Sequence, residues 1–81
     1  MADGSIPTGV RKRSVSIRGH RTSYSLEPEF AAELEAMATR RGISVTALVA
    51  EIDAARPTGS NLSSAIRVYV LKAVKQAAAR D

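Results

Sequence analysis

Arg21, Ser23 and Ser25 are the residues of this chain whose types and spacing best fit a recognition chemistry. They alternate with Thr22, Tyr24 and Leu26 along Arg21-Thr22-Ser23-Tyr24-Ser25-Leu26. Successive side chains on a strand point to opposite faces, so one face is Arg/Ser and the other is largely apolar. A guanidinium can grip guanine O6 and N7 with two hydrogen bonds, while serine hydroxyls are adaptable donors and acceptors. Such a face in a small basic chain predicts contact with nucleic acid. A solvated strand would be polar on one side too, so the surroundings decide the weight of this reading.

The charge distribution favours it. Residues 1–26 carry Arg11, Lys12, Arg13, Arg18 and Arg21 against Asp3, a net +4. Residues 27–55 carry Arg40 and Arg41 against Glu27, Glu29, Glu33, Glu35, Glu51 and Asp53, a net −4. Residues 56–81 return to +4, with Arg56, Arg67, Lys72, Lys75 and Arg80 against Asp81. The basic first third is the segment suited to approach phosphate. Arg11, Lys12 and Arg13 are expected as phosphate contacts that add affinity without sequence preference. Arg18 and His20 are expected beside them; His20 otherwise reads as a plain turn residue, and joins the phosphate set when protonated.

With 81 residues and no cysteine, the chain is one small domain with a limited core and no disulfide or thiolate metal site. Its single histidine excludes a His cluster. Pairing with a copy of itself is the expected source of additional core. No apolar run approaches the roughly 20 residues that span a bilayer. The N-terminus lacks a basic-then-apolar export pattern, so the expected location is the cytoplasm. Tyr24, Phe30 and Tyr69 are the only aromatic residues, too few for a protein that stacks single-stranded bases.

The elements that position these residues follow from periodicity and punctuation. Residues 1–12 read as a flexible basic arm. Apolar residues fall at odd positions in Ser14-Val15-Ser16-Ile17-Arg18 and at even positions from Thr22. A two-residue turn at Gly19-His20 would explain the phase change, with glycine first as in a type II′ turn. Ile17 would then face Thr22, and Val15 would face Tyr24. Arg18 would join Ser14, Ser16, Arg21, Ser23 and Ser25 on the polar side. An extended arm with a bulge at Gly19 is the alternative.

A first helix is expected over Pro28–Arg41, with Pro28 at its first position, Glu29 near the positive dipole end and Gly42 as its stop. Phe30, Leu34, Met37 and Ala38 form its apolar stripe. Ser44 caps a second helix with Val45, Leu48, Val49 and Ile52 inward. Arg56-Pro57-Thr58-Gly59-Ser60 breaks the chain. Asn61 caps a third helix over Leu62–Ala79 whose apolar residues, including Ile66, Tyr69 and Val70, spread over more than one stripe. A helix apolar on several sides packs against more than one neighbour. The domain plan is thus an arm (1–12), a strand-helix-helix unit (13–56), and a linker with a third helix (57–81).

Strand, helix, Gly42-Ile43-Ser44 turn and helix together resemble the ribbon-helix-helix DNA-binding family. Gly19-His20-Arg21-Thr22-Ser23-Tyr24-Ser25-Leu26-Glu27-Pro28-Glu29-Phe30, Val49-Ala50-Glu51-Ile52-Asp53 and Asn61-Leu62-Ser63-Ser64-Ala65-Ile66-Arg67-Val68-Tyr69-Val70-Leu71 are similar to one mostly uncharacterised bacterial subgroup, extending the likeness to about residue 71. The resemblance implies a mainly α protein with a short β-ribbon: an intertwined homodimer, here with an additional C-terminal helix. Each chain lends one strand to a ribbon that enters the major groove. Arg21, Ser23 and Ser25 are then the base contacts. The amide-bearing start of the second helix, Ser44, Val45 and Thr46, docks on a phosphate. Tyr24, Leu26, Phe30, Leu34, Met37, Ile43, Leu48, Val49, Ile52, Ile66, Tyr69 and Val70 form the dimer core.

Double-stranded DNA and a second copy are therefore the expected partners, with a higher oligomer and a protein partner on the third helix left open. Glu27 and Glu29 stand against the DNA reading, because acid close to the ribbon repels phosphate. A wider sheet would also fit poorly in a groove about 12 Å across. A homodimeric interaction module, or an antitoxin-like protein with little DNA binding, is the competing class. The chain lacks a nucleophile motif, a Gly-rich phosphate loop and a metal set, so neither an enzyme nor a cofactor is expected.

Overall fold

The structure, a computed structural model, describes residues 10–80. Two strands precede three helices: β1 (Arg11–Ile17), β2 (His20–Leu26), α1 (Pro28–Arg41), α2 (Val45–Ala55) and α3 (Leu62–Ala79). The helix bounds follow from their caps. Pro28 starts α1, and Gly42 ends it at φ 72°, with its N–H directed to the Ala38 and Thr39 carbonyls. Ser44 Oγ accepts from the Ala47 N–H at 3.0 Å. Asn61 Oδ1 accepts from the Ser64 N–H, also at 3.0 Å. Each satisfies an amide that the first turn of a helix leaves without a partner.

β1 and β2 form a two-stranded antiparallel hairpin within one chain. The tight turn expected at Gly19-His20 lies one residue earlier. Ile17 pairs with His20, leaving Arg18 and Gly19 as the loop. Both have positive φ, 52° and 82°, as a type I′ turn requires at its two central positions. Val15 therefore faces Thr22, and Arg13 faces Tyr24. Moving the loop by one residue shifts the pairing by two, and an even shift keeps the paired side chains on their expected faces, while Arg18 moves from the polar face into the turn. The arm expected through residue 12 also ends earlier, because Arg11 and Lys12 belong to β1; residues 1–9 lie outside the described residues.

The apolar side of the hairpin, with Val15, Ile17, Tyr24 and Leu26 buried, packs on the helices. Leu34, Met37 and Ala38 of α1, Leu48, Val49 and Ile52 of α2, and Leu62, Ile66 and Val70 of α3 complete the core. Leu48, Val49 and Ile66 have no exposed surface. Nine of the twelve residues assigned to a dimer core are thus already buried inside one chain, while Phe30, Ile43 and Tyr69 are partly buried. The third helix touches β2, α1 and α2 of its own chain. Its exposed large apolar residues are Val68, Leu71 and Val74.

Candidate nucleic-acid interface

The hairpin turns one face away from the helices. The pairs Lys12–Ser25, Ser14–Ser23 and Ser16–Arg21 lie on it. Lys12, Ser14, Ser16 and Arg21 are exposed, and Ser23 and Ser25 are partly so. The three sequence-selected residues are therefore together, on one strand and one side. Lys12 joins this face, and Arg18 leaves it for the turn.

Alternation splits the basic cluster. Lys12 points outward, while Arg11 and Arg13 pair with Leu26 and Tyr24 on the helix side. There they border a hollow with Pro28, Ala31, Ala32 and Glu35 of α1. Both residues remain exposed, as suits a long cationic side chain over apolar surface. Burial pushes the Tyr24 hydroxyl up from its ordinary range, and the nearby Arg13 charge pulls the other way. His20 is opposite Ile17 and exposed. With Arg18, Arg21, Arg56 and Asp53 it lines a hollow beside the ribbon tip.

The start of α2 is on the other side of the ribbon from Arg21, Ser23 and Ser25. Val45 shares a hollow with Arg13, Tyr24 and Glu35. Ser44 is occupied as a cap, its Oγ holding the Ala47 N–H and its carbonyl the Leu48 N–H. The amides of Val45 and Thr46 remain as the N-terminal donors of the helix.

Two residues that sequence reasoning missed hold the ribbon in place. Ser63 Oγ accepts a hydrogen bond from the Ser25 N–H at 2.8 Å. Arg67 donates from Nη2 to the Ser25 carbonyl at 3.1 Å and from Nε to Glu27 Oε1 at 2.9 Å. Ser63 and Arg67 are four apart and share one face of a helix, a spacing visible in the sequence, although nothing there names their target. The Arg67 hydrogen bond, followed by the backbone amide of Glu27 itself, holds the Glu27 carboxyl below the usual glutamate range. The expected repulsion between Glu27 and DNA is therefore met by a paired carboxylate. Glu29 stays exposed in the first turn of α1.

On the far side of the fold, Arg41 donates two hydrogen bonds to Glu51, at 2.8 and 3.0 Å, clipping the end of α1 to α2. Among the described residues, no group of His, Asp and Glu could hold a metal. No described helix is long and apolar enough to cross a membrane.

Residues 10–74 match the family model of the ribbon-helix-helix domain. No curated protein and no solved structure matches the chain.

Proposed function

The chain belongs to the ribbon-helix-helix domain family, and from that premise we propose that it is a sequence-specific double-stranded DNA-binding protein. It acts as a small bacterial transcriptional regulator, a homodimer that reads the major groove with its β-ribbon. The family consists in general of DNA-binding regulators and antitoxins that bind DNA as dimers and are typically not enzymes. The single observation that carries the reading is the outward ribbon face, where Arg21 shares a surface with exposed Ser14 and Ser16, partly exposed Ser23 and Ser25, and Lys12 at its far end, with no apolar side chain among them. A two-stranded ribbon is a form the major groove admits. Arg21 supplies the base-specific grip, and Ser23 and Ser25 supply adaptable contacts. Arg18, His20, Arg11, Lys12 and Arg13, with the amides of Ser44, Val45 and Thr46, supply phosphate contacts.

Arg18 adds independent support. It holds a left-handed conformation at φ 52°, which glycine or asparagine adopts at lower cost. A cation kept there at the exposed tip fits a contact with phosphate.

Selection from a random pool of double-stranded DNA, followed by sequencing, tests the function. The wild-type protein enriches an inverted repeat. Arg21→Ala loses the preference at its position, at a cost of about 1–3 kcal/mol per half-site. Recovery of background sequences alone, with binding that only falls with salt, rejects the reading.

One observation favours the interaction-module alternative. An apolar groove of ≈ 460 Å³ runs between the end of α2 and α3, bordered by Ala55, Pro57, Ala65, Val68 and Tyr69. Leu71 and Val74 continue the exposed apolar surface. In the DNA-binding reading a second copy of the chain covers this surface. An antitoxin tail suits α3 less well, because its Leu62, Ile66 and Val70 are buried in their own domain.

A further inference from the structure

We propose that the hollow beside the ribbon tip is a phosphate-binding site, with Arg56 of the α2 C-cap as its fixed anchor and Arg18, His20 and Arg21 closing around the bound group. The site stands on its own geometry, and only its occupation by DNA rests on the reading above.

Three observations carry it. First, the hollow, of ≈ 440 Å³, gathers side chains from two parts of the chain that α1 separates. Arg18, His20, Arg21 and Thr22 come from the hairpin, and Asp53 and Arg56 come from the end of α2. Ile17 is its one apolar lining residue. Second, the charge is one-sided. Arg18, Arg21 and Arg56 stand against a single carboxylate, Asp53, and the roughly half-unit negative end of the α2 dipole. Three guanidinium groups leave a positive surplus, to which His20 adds when protonated.

Third, Arg56 is already held in place. Its Nε donates to Asp53 Oδ1 at 2.7 Å, and its Nη1 donates to the Ser60 carbonyl. Its side chain is 28% exposed, whereas Arg18, His20 and Arg21 lie fully on the surface. A guanidinium has N–H donors beyond the two committed here, in a planar fork that matches two oxygens of one phosphate. A cation fixed before its ligand arrives loses little side-chain freedom on binding. Asp53 is therefore a positioning residue, which aims Arg56 and touches no phosphate itself.

Two sources carry this chemistry: the phosphodiester backbone of DNA, and a free molecule with linked phosphates. With a DNA phosphate in the hollow, Arg21 stays on the bases while Arg18, His20 and Arg56 hold the backbone. With a free ligand, Arg21 turns from the reading face into the hollow, and the ligand competes with DNA.

The site is tested by titrating the protein with sodium pyrophosphate at constant ionic strength, followed by amide chemical shifts. Saturable shifts are expected at residues 18–22 and 53–60. Arg56→Gln should weaken that binding by about tenfold or more, the loss of a charge-assisted hydrogen bond. Arg18→Asn, which the turn favours, should weaken it as well and cannot do so by unfolding. Arg40→Gln, an exposed cation at the end of α1, should leave it unchanged. The source is read from DNA affinity across a salt series. A slope of log affinity against log salt that falls by about 0.9 per chain in Arg56→Gln places a DNA phosphate in the hollow. An unchanged slope, with saturable pyrophosphate binding, assigns the site to a free phosphate-bearing molecule. An unchanged slope without saturable pyrophosphate binding, or equal pyrophosphate affinity in Arg56→Gln, Arg18→Asn and wild type with that slope, overturns the site. If the wild type binds no DNA, the proposed function falls and the pyrophosphate titration alone decides the site.

Discussion

Arg18 and Glu27 show how single residues in this protein trade stability against binding. Arg18 sits with φ 52° at the first position of a type I′ turn. Replacing it by asparagine relieves a conformation that costs an ordinary residue roughly 1–2 kcal/mol. Arg18→Asn should therefore raise the denaturant midpoint of unfolding and weaken DNA binding, most at low salt. Unfolding curves and DNA titrations at two salt concentrations read both effects. Glu27 carries a pH dependence with a definite sign. Its folded-state pKa lies below the unfolded one because of Arg67. Its contribution is thus present above the ordinary glutamate range and is lost as pH falls through the folded-state value. Thermal melts should show Glu27→Gln losing less stability on acidification than the wild type. Glu51 shifts in the same direction through Arg41, so the variant flattens the acid limb without abolishing it.

The starts of the three helices and the stop of the first were legible because their punctuation is chemical. Pro28, Gly42, Ser44 and Asn61 each stand where a backbone group or torsion demands that residue type. Gly42 gives a clean measurement of such a demand. A Cβ added there would meet nothing within 4 Å, so Gly42→Ala tests the backbone alone. With φ at 72°, it should cost about 1 kcal/mol, measured as a lower urea midpoint with an unchanged m-value. The hairpin was legible in its faces and not in its turn. Alternation fixes which residues share a side, and a register shift of two preserves it. Gly19 is at home in either position of a two-residue turn, so the local sequence admits both loops. The observed register buries Ile17 next to the turn and sets the Arg13 stem over Tyr24, and packing on the helices selects between them.

Across the whole molecule, α3 is structural and not an appendage to a strand-helix-helix core. Ile66 is fully buried, and its helix contacts β2, α1 and α2. Ile66→Ala should cost about 2–5 kcal/mol and lower the midpoint of the entire transition with its cooperativity kept; chemical denaturation followed by circular dichroism measures it. Loss of α3 signal alone, with the rest of the protein unfolding as before, would mean that the helix is a separate unit. The same helix reaches the proposed reading face through Ser63 and Arg67, so its docking also sets the ribbon against the body.

Periodicity, caps and charge blocks prescribed the strand faces, the three helices and the outward Arg21, Ser23 and Ser25 face, because each depends on interactions among residues close in the chain. The direct links of Ser63 to Ser25 and of Arg67 to Ser25 and Glu27 join positions 38 to 42 residues apart. Nothing local distinguishes those side chains from solvated ones. Folding brought α3 against β2, tied the Ser25 end of the ribbon to that helix and paired the carboxylate that local reasoning had counted as free, because pairing a charge and binding a strand end depend on which surfaces meet in space.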